Sequence, residues 1–116
     1  MTNETPSYGL LDRITLKARI DHKEPFQLWN TLAKADYKPD VNIPGSKWVP
    51  FDTLNQELAA KLAKKDETII VYCGGGQCLA SKTAAEKLTS WGYTGVFTYE
   101  GGLKDWSEGG LPVVKL

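Results

Sequence analysis

Two cysteines, Cys73 and Cys78, enclose a loop of Gly74, Gly75, Gly76 and Gln77. A thiol attacks as its thiolate, and a free cysteine, with a pKa near ~8.5, is little ionised at neutrality. Successive glycines let loop N–H groups curl into an anion-binding nest, because no side chain blocks the backbone angles required. The chemistry that suits this stretch is nucleophilic attack by Cys73 on an anion held against its sulfur. Cys73 is then the candidate nucleophile, and Gly74, Gly75, Gly76, Gln77 and Cys78 the candidate substrate-binding loop. The plain alternative is an inert cysteine ending a core strand, since cysteine is among the most buried residue types. Three consecutive glycines weigh against it, because they add no packing and cost conformational entropy.

The flanking elements must position that thiol. Thr68 to Tyr72 is a β-branched, apolar run without clear alternation, as expected of a strand covered on both faces. From Leu79 the pattern turns helical, with Ala80, Ala84, Leu88 and Trp91 on one stripe and Gly92 as the stop. Cys73 therefore falls between the carboxyl end of a strand and the start of a helix. Unpaired N–H groups and the positive end of the helix dipole favour a negative charge there. In open α/β sheets this is the edge where ligands bind.

Residues 1 to 7 are polar and read as a frayed end. Tyr8 to Leu11 reads as a first strand, and Thr15 as the cap of a short helix carrying Leu16 and Ile20. Phe26 to Thr31 is a strand candidate. Its Asn30 has two readings, a functional group near Cys73 or a side chain bonding to adjacent loop backbone, and the second is preferred. Ala33 to Tyr37 reads as one helical turn ended by Pro39, and Asn42 to Gly45 as a tight connection. Ser46 to Val49 is the next strand, with Trp48 as core or surface cover. Asp52 or Thr53 is expected to cap a helix, Thr53 and Gln56 fitting a capping box, with Leu54, Leu58 and Leu62 on its stripe. Lys61, Lys64 and Lys65 suit its carboxyl end. Val96 to Tyr99 is the last strand, Glu100-Gly101-Gly102 returns the chain at the active edge, and Leu103 to Glu108 is a short helix. Alternating strands and helices predict an α/β fold with parallel crossovers.

A chain of 116 residues is expected to form one domain around one core. Fourteen basic residues balance fourteen acidic ones, which gives no electrostatic reason to expect a nucleic-acid or anionic-membrane partner. No apolar run approaches the ~18 residues of a membrane span. The first residues lack the basic and apolar regions of a signal peptide, so a cytoplasmic location is the default. His22, the single histidine, sits in a polar turn and is not favoured as a base. One histidine with two loop cysteines is poor material for zinc, so no metal is expected. Lys82 is the nearest cation in sequence to the loop, with a solvated side chain as the preferred reading.

The chain resembles rhodanese-like domains. The stretches that match are Asn42-Ile43-Pro44-Gly45-Ser46, Ile70 to Cys78, and Ala84-Ala85-Glu86-Lys87-Leu88. Gly92-Tyr93, Tyr99 to Trp106 and Gly110-Leu111-Pro112-Val113 continue the likeness. The resemblance implies a three-layer sandwich, a central mainly parallel sheet of about five strands flanked by helices on both faces. It implies transfer of sulfane sulfur through a persulfide on Cys73, without a metal or organic cofactor. In this family six-residue loops go with sulfur transfer and seven-residue loops with phosphate or arsenate chemistry; Cys73 to Cys78 counts six.

The chain departs from the family pattern in three places. Cys78 stands where the loop commonly ends in arginine, which removes a side-chain cation that would help bind thiosulfate. Asn42 replaces the usual histidine before Ile-Pro-Gly, and Asn30-Thr31-Leu32 replaces the usual Asp-x-Arg. Cys78 has three open roles. It can take the proton from Cys73 or lend it a weak S–H, attack a persulfide to close a disulfide, or pack under the helix start as a small apolar side chain, the last being slightly preferred.

The expected activity is sulfur uptake by Cys73 from thiosulfate, polysulfide or a persulfide, and delivery to a thiol or cyanide. The partners would be a small sulfur-containing anion, a thiol acceptor and a sulfur-relay protein, with the domain itself a monomer. The alternatives are a dithiol redox protein using Cys73 and Cys78, or a rhodanese-like interaction module without turnover.

Overall fold

The structure is a computed structural model that describes residues 8–75 and 78–116. Its centre is a parallel five-stranded sheet in the order β1-β5-β4-β2-β3. The strands are β1 (Gly9–Leu11), β2 (Gln27–Asn30), β3 (Ser46–Trp48), β4 (Thr68–Tyr72) and β5 (Gly95–Tyr99). The helices between and after them are α1 (Arg13–Asp21), α2 (Gln56–Leu62), α3 (Ala80–Ser90) and α4 (Gly102–Glu108).

Alternation along each strand divides the core between two faces. Trp29, Ile69, Val71 and Val96 point to the face where Ala59 of α2 and Ala84, Ala85 and Leu88 of α3 pack. Leu28, Ile70, Tyr72 and Tyr99 point to the opposite face, against Leu16 of α1 and Trp106 of α4. The result is the expected three-layer α/β sandwich. Ile69 to Tyr72 are all fully buried, which is why β4 reads as an unbroken apolar run.

Two helix caps differ from expectation. Asp12, not Thr15, caps α1: its Oδ1 accepts from the Thr15 N–H at 2.8 Å. Asn55, not Asp52 or Thr53, caps α2, its side chain accepting from the Leu58 N–H at 2.8 Å. Residues 51–54 are held in a turn instead. The Leu54 N–H bonds to the Pro50 carbonyl, and Lys87 of α3 donates to the carbonyls of Phe51 and Leu54. Leu54 is buried in the same cluster as Ala59, a staple across the new helix start. Trp48 serves as cover. It stacks on Tyr37 with ring centroids 4.0 Å apart and donates to the Leu32 carbonyl.

Candidate active site

Connections leaving β4 and β2 run in opposite directions, β4 leading to β5 on one side and β2 to β3 on the other. This reversal opens a crevice between their carboxyl ends, the switch point where ligands bind in such sheets. Cys73 follows β4 at that point. Thr31 follows β2, and both its N–H and its hydroxyl donate to the Tyr72 carbonyl at 2.8 Å.

Cys73 lies two residues beyond Val71, so its side chain falls on the α3 face. It is 2% exposed and packs with Leu32 and Ala80. Its thiol donates to the Cys78 carbonyl at 3.5 Å and to Ser81 Oγ at 3.6 Å. The sequence predicts loop amides around this sulfur; those of Gly76 and Gln77 lie outside the described residues, and among the described residues the groups bonded to it are these two acceptors. The cause is where α3 begins. It opens at Ala80, one residue later than the pattern suggested, and the Leu79 carbonyl takes the Thr83 N–H. The Cys78 carbonyl precedes that bond and turns to Cys73. Cys78 and Leu79 are thus both outside the helix, although Cys78 closes the loop by sequence count.

Cys78 is half-buried against the same small cluster. Burial, and next its hydrogen bond to the Cys73 sulfur, push the Cys78 thiol above its ordinary range. The backbone N–H groups of Ala80 and Gly74 pull the other way. The Cys78 thiol is therefore favoured in its protonated form. Both cysteines are free.

The loop is fixed from the far side by the start of α4. The N–H groups of Leu103 and Lys104 donate at 2.9 Å to the carbonyls of Cys73 and Gly74. Gly75 and Gly102 both have positive φ, at 97° and 61°. A Cβ on Gly102 would collide with the Cys73 carbonyl and the Gly75 nitrogen, and one on Gly75 with the Gly101 carbonyl. Glycine is needed at both places for the two backbones to meet. Gly76 and Gln77 lie outside the described residues.

The remaining candidates are dispersed. Asn30 pairs in register with Tyr72, so it does reach the edge of Cys73. Its Oδ1 accepts from the Leu32 N–H, the loop-backbone role preferred from sequence, and its Nδ2 donates to Asn42 Oδ1 at 2.9 Å. Two of the departures from the family pattern thus meet each other as one buried, neutral amide pair. Lys82 is exposed and lines a polar pocket of about 190 Å³ with Cys78, Leu79, Ser81 and Glu100. His22 is exposed at the end of α1. A second cavity, of about 310 Å³, adjoins the loop and is lined by Leu32, Asp36, Lys38, Val41, Gly74 and Leu103.

Residues 13–109 match the family model described as Rhodanese-like domain. The chain belongs to the rhodanese-like domain family. Solved structures agree with the fold. A Bacillus halodurans protein is 25% identical with a TM-score of 0.82, over 94% of this chain and 77% of its own. The rhodanese-like domain of an Anabaena protein is 27% identical with a TM-score of 0.79, over 95% and 81%. A rhodanese-related protein from Thermoplasma volcanium, 24% identical with a TM-score of 0.73 over 92% and 98%, shares the fold. No curated protein matches the chain. Among the described residues, no helix is long and apolar enough to cross a membrane.

Ser81, Thr98 and Gly102 were missed as site residues in the sequence. Ser81 is buried in the first turn of α3, and Thr98 of β5 donates to its Oγ at 3.0 Å. A polar residue on an otherwise apolar helix stripe was the available signal. The return Glu100-Gly101-Gly102 was placed at the active edge, but not its grip on the cysteine loop.

Proposed function

We propose that this rhodanese-like domain carries sulfane sulfur on Cys73. The Cys73 thiolate attacks the outer sulfur of a donor, and the donor's S–S bond breaks with its electron pair leaving on the departing group. Cys73 then holds a persulfide. A thiol or cyanide attacks the outer sulfur, and the electron pair returns to Cys73. Gly74, Gly75, Gly76, Gln77 and Cys78 form the binding loop in this reading.

The observation that carries it is the position of Cys73 at the switch point of a rhodanese-like fold, packed in one cluster with a second free thiol. The mostly apolar cavity next to Gly74 favours an organic persulfide over thiosulfate as donor, since thiosulfate has no apolar body to fill it.

The dithiol reading has one observation in its favour, the packing of two free thiols in one small cluster. Cys78 would attack the persulfide, close a disulfide with Cys73 and release hydrosulfide. The raised proton affinity of Cys78 makes it the slower attacker, so the carrier reading is preferred.

Sulfur transfer from polysulfide to cyanide distinguishes the two. Under the carrier reading Cys73→Ser abolishes transfer and Cys78→Ser still transfers. Transfer that persists in Cys73→Ser overturns the mechanism. Loss in Cys78→Ser of the released hydrosulfide, with wild type forming the disulfide, favours the dithiol instead.

A further inference from the structure

A carbonyl can only accept a hydrogen bond, whereas a hydroxyl can accept or donate. Of the two groups that take the Cys73 S–H, the Cys78 carbonyl would therefore repel a negative sulfur, and the Ser81 hydroxyl can reverse and donate to it. Ser81 is 3% exposed and Thr98 is fully buried, so neither is left free to bond water in place of its partner.

The geometry explains their meeting. Val71 and Thr98 are register partners on β4 and β5, and Cys73 follows Val71 by two residues on the same face. Ser81, in the first turn of α3, lies over both. The hydroxyl of Thr98 donates to Ser81 Oγ at 3.0 Å, and among the described residues the Ser81 proton has no other acceptor, so it can turn to the sulfur.

We infer that Ser81 donates to the sulfur of Cys73 once that sulfur is negative, and that Thr98 is a positioning residue holding Ser81 in that role. Chains of hydrogen bonds polarise one another, so a buried Thr98–Ser81 pair donates more strongly than a lone hydroxyl. The pair would provide, from helix and strand, part of what the absent loop cation would give. This deepens the sulfur-carrier reading, because the thiolate and the terminal persulfide anion are both negative at or next to Cys73.

The test is the pH dependence of iodoacetamide alkylation at Cys73, sited by fragment mass. Lys82 and Glu100, Lys104, Asp36 and Lys38, and the Cys78 and Tyr37 side chains surround the loop, and all are unchanged in the variants used. Ser81→Ala should move the profile to higher pH and slow alkylation at pH 7 by about tenfold, the size expected of a hydrogen bond to a charged group. Thr98→Val, nearly the same shape, should slow it by about two- to threefold, and Thr98→Ser, which keeps the hydroxyl, should restore the wild-type profile.

A packing role alone would alter melting temperature in Thr98→Ser as in Thr98→Val and leave the profile in place. If Ser81→Ala does not fold, the Thr98 pair decides. Superimposable profiles for wild type and Thr98→Val, or for a folded Ser81→Ala, would overturn the inference. Polysulfide uptake, measured alongside, separates the two levels. A shifted profile with no sulfur on wild-type Cys73 retains the donor role and removes the carrier reading. Uptake with an unmoved profile does the reverse.

Discussion

At the scale of single residues, the site is governed by which polar groups are buried together. Asn30 and Asn42 are both fully buried, and each has its amide satisfied. Asn42 donates to the Tyr37 hydroxyl and the Pro39 carbonyl, while its oxygen accepts from Asn30. A neutral pair of this kind avoids the desolvation that two buried charges would suffer. Asn30→Asp would place a carboxylate there with no cation against it, and an uncompensated buried charge costs about 3–5 kcal/mol. Its carboxyl would titrate high in the folded state, so stability should be lowest at neutral pH and recover as pH falls and the group protonates. Urea unfolding at pH 7 and pH 5 checks this. Equal stability to wild type at pH 7 would mean that the pocket admits water or a counter-charge.

At the scale of elements, two glycine-bearing loops interlock beneath Cys73. Gly102→Ala forces a side chain into left-handed backbone and into the cysteine loop. The backbone strain alone is about 1–3 kcal/mol. Displacement of Cys73 should also lower sulfur transfer by about tenfold or more. Gly45→Ala is the control. Its φ is also positive, at 88°, but nothing lies within 4 Å of the added Cβ. It should lose stability and keep its transfer rate in the folded fraction; equal loss of rate in both would deny the loop contact a special part. The same elements mark how far the sequence could be read. β4, the α3 stripe and the turn at Gly74 and Gly75 were legible because each is a local pattern of period and composition. The starts of α1 and α2 were not, because several neighbouring residues can cap and tertiary contacts chose among them. Lys87, reaching from α3 to Phe51 and Leu54, selects the turn that leaves Asn55 as cap. The Asn30–Asn42 and Ser81–Thr98 pairs depend on strand order, which no local spacing encodes. The acceptors facing Cys73 were missed for a smaller reason: a helix start displaced by one residue changes which carbonyl is left over.

At the scale of the whole molecule, the sheet is covered on both faces, and buried tyrosines are part of one of them. Burial pushes the Tyr72 hydroxyl above its usual range; burial, and then its bond to Asp105, do the same for Tyr99. Both phenols are thus favoured protonated in the folded state. Their contribution is full below the unfolded value of about 10 and is lost as pH rises through the higher folded values. Thermal melts should therefore fall above about pH 10, and Tyr99→Phe should reduce that fall. A wild-type melting temperature that stays level to pH 11 would contradict the assignment. The fold as a whole delivers one thiol to the switch point of the sheet, and the proposed chemistry depends on that thiol accepting sulfur. The most direct measurement is the fragment mass of the Cys73-containing peptide after brief exposure of the protein to polysulfide. One added sulfur atom on Cys73 is the predicted result. An unmodified Cys73, or sulfur found on Cys78 alone, would contradict it.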